Sequence, residues 1–182
     1  MEIGPFVKCP HPEMIEAIAL AGFDFAVVDM EHTPLGPRDL YPLVLAAECR
    51  NLQLIVRVPE LSEAHLKWCL DLGIKRIQVP HVRCDEDVKH AIAWAQFAPD
   101  GERGLCRFVR AANFSNSNVN AYVTQSNSAV RLVLQVEDRA GLDNLPHIIA
   151  IAASVDAVVF FGPYDISASF GTPGNVTAPQ VV

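Results

Sequence analysis

Two acids are set up for chemistry by what precedes them. Leu132-Val133-Leu134-Gln135-Val136 is a short apolar run that breaks off at Glu137. Val158-Val159-Phe160-Phe161 is a second run, followed by Gly162-Pro163-Tyr164 and then Asp165. If both runs are neighbouring buried strands, Glu137 and Asp165 lie at matching ends, and two carboxylates side by side make a cation site. The pair contains no Cys or His, so a hard divalent cation such as magnesium or manganese, with cobalt as a further candidate, suits it better than a closed zinc site.

Other reactive side chains follow apolar runs in the same way. Asp29, Glu31 and His32 close the run from Phe23, Arg57 ends Leu54-Ile55-Val56, and His81 follows Ile77-Gln78-Val79-Pro80. A cation held by two acids can act as a Lewis acid on a 2-keto acid that chelates it through carboxylate and keto oxygens. Arg57 can then stabilise the charge that develops as an enolate forms. His32, held by Asp29, is the residue type that exchanges protons near neutral pH. Gly162 and Pro163 leave room for a substrate carboxylate, which the N–H groups of Tyr164 and Asp165 can receive at a helix start. Each residue alone has a plain structural reading: His32 as a loop histidine, Arg57 paired with a helix acid, Glu137 solvated beside Arg139. Their convergence on one rim is what argues for function; Asp24, Asp143 and His147 show none and read as surface or capping residues.

The elements that must position these groups alternate regularly. Residues 3 to 8 read as a first strand, and Pro12 opens a helix that Gly22 ends. Phe23 to Asp29 is a strand, Asp39 to Arg50 a helix, and Leu54 to Val56 a strand. Ser62 starts a helix that runs to Leu72 and stops at Gly73; Ile77 to Val79 is the next strand, and Asp85 caps a helix reaching Phe97. A fifth strand is expected within Arg103-Gly104-Leu105-Cys106, with an exposed loop from Asn113 to Asn120. Arg131 to Val136 is then the sixth strand, Pro146 lies in the first turn of a helix, and Asp156 to Phe161 is the seventh strand. Strand–helix alternation implies a parallel sheet. Asp29 to His32, Arg57, His81, Glu137 and Asp165 come from five strand ends on one side, which is how a (β/α)8 barrel builds its site; an open sheet gathers its ligand at one switch point.

Composition narrows the partners. The chain has 182 residues, 51% hydrophobic and 19% charged, with 14 Lys and Arg against 21 Asp and Glu, a net charge of −7. That is ordinary for one folded domain over residues 1–182, and without a basic block it argues against nucleic acid. The start Met1-Glu2-Ile3-Gly4-Pro5 lacks a secretory pattern and no apolar run nears the roughly 18 residues of a membrane span, so a cytoplasmic location off the membrane is expected. The five cysteines (Cys9, Cys49, Cys69, Cys84, Cys106) are unpaired in pattern and read as reduced, mostly buried thiols.

Seven short motifs carry a family resemblance. They are Gly22-Phe23-Asp24-Phe25-Ala26-Val27-Val28-Asp29-Met30-Glu31-His32-Thr33-Pro34, Val56-Arg57-Val58-Pro59, Leu70-Asp71-Leu72-Gly73, Val79-Pro80, Gly101-Glu102-Arg103-Gly104, Gln135-Val136-Glu137-Asp138-Arg139 and Gly162-Pro163-Tyr164-Asp165-Ile166-Ser167. In order and spacing they resemble the HpcH/HpaI aldolases, metal-dependent class II enzymes on a (β/α)8 barrel that cleave 4-hydroxy-2-keto acids to pyruvate or a related keto acid and an aldehyde. The resemblance implies Glu137 and Asp165 as metal ligands, Arg57 as enolate stabiliser, His32 with Asp29 as the acid–base dyad, and Gln135 beside the metal. It also implies that Asp71 reaches the site of a neighbouring subunit in a homo-oligomer. His81 has no such role and reads as a rim residue. Met30, where the family usually has glycine, and Tyr164, where it usually has a small residue, change the space near the keto acid.

Length is the other departure. A barrel of this kind needs about 250 residues, so the eighth strand and the last two helices are expected to be missing. The shortfall makes a non-catalytic assembly subunit one alternative; the other, on the same fold, is a related enolate-forming lyase that cleaves a carbon–carbon bond in a CoA thioester.

Overall fold

The apolar runs that are too short for helices, and rich in Val, Ile and Phe, become strands. These are β1 (Phe6–Val7), β2 (Phe25–Asp29), β3 (Gln53–Arg57), β4 (Arg76–Val79), β5 (Arg131–Val136) and β6 (Val158–Phe161). The amphipathic segments between them become α1 (Pro12–Leu20), α2 (Pro37–Cys49), α3 (Glu63–Leu72), α4 (Asp85–Ala95), α5 (Val119–Ala129), α6 (Arg139–Asp143), α7 (Leu145–Ser154) and α8 (Pro163–Ser169). The computed structural model describes residues 1–115 and 118–182. Among the described residues the six strands form one sheet in chain order, and each neighbouring pair is parallel. A doubly wound sheet reverses its order at a switch point, whereas this sheet advances by one strand at every crossover. The fold is therefore α/β, of the (β/α)8-barrel type. The sheet also curls: the rings of Phe6 and Phe160, on its two outermost strands, approach to 6.3 Å between centroids.

Strand parity divides the residues between two faces. Ala26, Val28, Val56, Ile77, Val79, Leu132, Leu134 and Val136 pack with Ile15, Leu40, Leu43, Leu66 and Ile148 of the helices in one continuous core. The opposite parity turns to the concave side. There Val27 and Ile55 are apolar, but the layer nearest the C-terminal ends carries Asp29, Arg57, Gln78, Gln135 and Glu137, all buried. The helix layer holds the strands in place, and the concave side holds the ionisable groups.

Several expectations are corrected. The fifth strand at Arg103 to Cys106 does not form: this segment has no regular structure, and β4 pairs directly with β5. Its anchor is Arg103, whose buried guanidinium lies 2.8 Å from Asp71 Oδ1 and 4.3 Å from the centre of the Phe97 ring. The barrel therefore has six strands among the described residues, not seven, and the run from Val158 is the sixth. The first strand covers only Phe6–Val7, and α4 stops at Ala95. Of the expected loop from Asn113 to Asn120, Asn113 to Ser115 close a 3-10 segment (Arg110–Ser115), positions 116 and 117 lie outside the described residues, and Val119 and Asn120 already belong to α5, capped where the Asn118 side chain accepts from the Ala121 N–H. Of the cysteines only Cys69 is fully buried, its thiol pushed up to about 12 by desolvation; Cys9, Cys49 and Cys106 are exposed.

Candidate active site

Asp29 and Arg57 end β2 and β3 as register partners. Arg57 donates Nε–H to Asp29 Oδ1 at 3.0 Å and Nη2–H to Oδ2 at 2.8 Å, a planar fork matched to a carboxylate. The backbone N–H groups of Glu31 and His32 donate to the same Oδ1 at 3.1 and 3.2 Å. Burial pushes the Asp29 carboxyl up, but the Arg57 hydrogen bond and those amides outweigh it and hold it below the ordinary range. The contact between Asp29 and His32 thus runs through the backbone amide. The imidazole is half-exposed, with Nε2 4.0 Å from Glu31 Oε2.

Glu31 and Glu137 are the next pair. Arg57 Nη1 lies 2.9 Å from Glu31 Oε2, an ion pair whose angles do not make a hydrogen bond, so this buried oxygen has no hydrogen-bond partner. Desolvation raises the Glu31 carboxyl above its ordinary value; Arg57 opposes the rise and Glu137 adds to it. Between the two acids stands His81, with Nε2 3.1 Å from Glu31 Oε1 and Nδ1 3.1 Å from Glu137 Oε1. Its backbone N–H also donates to Glu137 Oε1 at 2.7 Å, and its φ of +56° is a left-handed conformation that costs on the order of 1 kcal/mol for a residue with a Cβ. A buried relay completes the setting: Gln78 Nε2 donates to Gln135 Oε1, and Gln135 Nε2 donates to Glu137 Oε2.

Asp165 sits exposed in the first turn of α8 and lines an open cavity of about 380 Å³ with His32, Arg57, Gln135, Gly162, Pro163 and Tyr164. Phe6, Lys8 and Phe160 also line it. Gly162 joins this cavity to Glu137, since a Cβ there would lie 2.8 Å from Glu137 Cβ and 3.0 Å from its Oε2. Of the residues the sequence singled out, the structure brings Asp29, Arg57 and Glu137 into one buried layer, and His32, Gln135 and the Gly162–Asp165 turn around the cavity beside it. Asp71 stands apart, held by Arg103 of its own chain. Glu31 was placed on this rim but given no role, and Gln78 and the bridging position of His81 were missed. Glu31 shares strand parity with Asp29, and Gln78 is a polar residue in an apolar strand, so both carried a signal. A second cavity, about 400 Å³ and lined by Leu52, Gln53, Lys75, Arg76 and Arg131, lies at the N-terminal ends of the strands, where barrel residues serve stability.

The donor set fits a divalent cation. Among the described residues Glu31, His81 and Glu137 each offer an atom within 4.8 Å of the others, a group that the predicted ligand Asp165 does not join. Among the described residues no helix is long and apolar enough to cross a membrane.

A sequentially ordered parallel barrel with carboxylates, an arginine and histidines on its C-terminal rim defines the class of barrel enzymes that work at strand ends. Within that class, the chain belongs to the HpcH/HpaI aldolase/citrate lyase family, whose model matches residues 2–182. It is 36% identical over 179 residues to a 2-dehydro-3,6-dideoxy-6-sulfogluconate aldolase of Pseudomonas putida, covering 98% of this chain and 69% of the relative. It is 34% identical over 181 residues to a 5-keto-4-deoxy-D-glucarate aldolase of Klebsiella pneumoniae, covering 100% of this chain and 69% of the relative. The crystal structure of an HpcH/HpaI aldolase/citrate lyase family protein from Burkholderia cenocepacia superposes with a TM-score of 0.88 at 32% identity, covering 98% of this chain and 70% of that one.

Proposed function

We propose that the domain of residues 1–182 is a metal-dependent aldolase that cleaves a 4-hydroxy-2-keto acid to pyruvate, or a related 2-keto acid, and an aldehyde. The observation that carries this reading is the Arg57 guanidinium, fixed by Asp29 and facing the cavity that also holds His32, Gln135 and Asp165. The names of the relatives, aldolases acting on deoxy keto sugar acids, support the substrate class.

Glu137 and Asp165 would hold the cation, magnesium, manganese or cobalt, which when bound supplies Lewis acidity toward the keto oxygen. Arg57 has five N–H donors, spends two on Asp29 and sets Nη1 2.9 Å from Glu31, leaving the remaining Nη hydrogens for the oxygen on which enolate charge develops. His32 Nε2, at the cavity mouth, takes the proton from the 4-hydroxyl as the carbon–carbon bond breaks, and a proton then adds to the enolate carbon. Gly162 lets the substrate carboxylate approach the backbone of the β6–α8 turn. Tyr164 narrows that approach and selects against bulk next to the keto acid.

The same reading assigns Asp71 to a homo-oligomer. Its Oδ1 is taken by Arg103, and its carboxylate is partly exposed on the outer layer, where a neighbouring subunit could meet it. The products are small soluble molecules, and a cytoplasmic enzyme is the fitting setting.

The experiment is pyruvate release from 4-hydroxy-2-keto acids of varied chain length. Activity lost with EDTA, restored by manganese or magnesium, and absent in Glu137→Gln and Asp165→Asn is expected. Full activity in either variant overturns the metal assignment.

A further inference from the structure

The family resemblance gives His81 no role, and the cation reading above needs only carboxylates. The structure nevertheless puts the His81 imidazole between two buried acids. Its Nδ1 is 3.1 Å from Glu137 Oε1 and its Nε2 is 3.1 Å from Glu31 Oε1. Neighbouring ligands around a small divalent cation are about 3 Å apart, so His81 Nδ1 and Glu137 Oε1 already have the spacing of adjacent ligands. The other nitrogen is held by a carboxylate, which is the arrangement that fixes the tautomer of a ligating histidine.

Two further observations make the placement more than a chance contact. The Glu31 side chain is 7% exposed and its Oε2 is paired with Arg57 Nη1 at 2.9 Å, which leaves Oε1 to hold the imidazole, and Glu31, His81 and Glu137 together offer three donor atoms within 4.8 Å of one another. The backbone of His81 is also fixed, and its half-exposed imidazole meets both acids. Its φ is +56°, its N–H donates to Glu137, and the next residue, Val82, donates its N–H to Gln135 O at 3.0 Å. Asp29 is matched by Arg57 and Lys8, Glu31 by Arg57 Nη1 and the imidazole, and Glu137 by the imidazole.

We propose that His81 is a third protein ligand of the cation held by Glu137, binding through Nδ1, with Glu31 orienting the ring from Nε2. The inference rests on the cation reading of Glu137 given above. A nitrogen donor in place of a water changes selectivity: relative to a site of carboxylates alone, it favours manganese and cobalt over magnesium.

The test uses the full 182-residue chain loaded with Mn²⁺, with binding measured by calorimetry and the ligand sphere by pulsed electron paramagnetic resonance. The expected result is a modulation from a directly bound ¹⁴N that vanishes in His81→Gln and persists in His32→Gln. The ratio of Co²⁺ to Mg²⁺ affinity is expected to fall about tenfold or more in His81→Gln. Mn²⁺ bound without nitrogen coupling overturns the role of His81 while leaving the cation reading of Glu137 and Asp165 intact. No Mn²⁺ binding by the unsubstituted chain overturns both. If His81→Gln does not fold, the nitrogen signal of the unsubstituted chain and its persistence in His32→Gln still decide the matter.

Discussion

Arg57 and Asp29 face each other as register partners across β2 and β3, and the arginine's Nε and Nη2 meet the two carboxylate oxygens in parallel at 3.0 and 2.8 Å. The fork fixes the guanidinium plane as well as its position, so the remaining N–H groups are aimed by the sheet. Lysine carries the charge but neither the plane nor the second bond. Arg57→Lys is therefore expected to fold with a modest loss of melting temperature and to lose about 100-fold or more in turnover. Turnover within a few-fold of the unsubstituted enzyme would show that charge alone suffices.

The same pair sets a pH dependence of stability. Arg57 and the amides hold the folded Asp29 carboxyl below its unfolded value of about 3.9. A lowered carboxylate stabilises the fold above the unfolded pKa, and that contribution is lost as pH falls through the folded one. Stability should thus drop below about pH 4 in the unsubstituted chain, with a shallower drop in Asp29→Asn. At neutral pH Asp29→Asn removes one partner of a buried pair and is expected to cost about 3–5 kcal/mol in urea denaturation. Parallel acid limbs for the two proteins would contradict the assignment.

Much of this site was legible because strands expose side chains with period two. Asp29, Arg57 and Glu137 each end an apolar run, so the parity that buries Val28, Val56 and Val136 against helices sends these three to the concave side. The same logic reaches Glu31, two residues after Asp29. It fails at His81, because a left-handed residue after Pro80 breaks the parity and turns the ring by a route no periodicity encodes. It also fails at Arg103 to Cys106. A short run with two apolar residues imitates a strand, and only the tertiary contact of Arg103 with Asp71 and Phe97 shows that an arginine anchor, not a ladder, holds this segment.

The amide relay from Gln78 through Gln135 to Glu137 lies within the buried layer. Gln78→Leu leaves Gln135 Oε1 buried without its donor, at a cost of about 1–3 kcal/mol. It also frees the Gln135 amide to turn away from Glu137. Thermal unfolding should show the loss, and calorimetry should show weaker cation binding. A variant as stable as the unsubstituted chain would mean that the relay contributes nothing to holding Glu137.

Gly162 offers the sharpest steric test, because it is where the β6–α8 turn touches the candidate cation site. A Cβ at this position would come within 2.8 Å of Glu137 Cβ and 3.0 Å of Oε2, closer than a side chain locked by His81 and Gln135 can yield. Gly162→Ala must therefore displace either the turn that carries Asp165 or the Glu137 carboxylate. The expected cost is about 1–3 kcal/mol in stability, accompanied by a loss of cation affinity. Gly104→Ala is the matched control, since a Cβ there meets nothing within 4 Å, and it should change neither quantity. If Gly162→Ala binds Mn²⁺ as tightly as the control, the turn and Glu137 do not form one site, and Asp165 loses its place beside it.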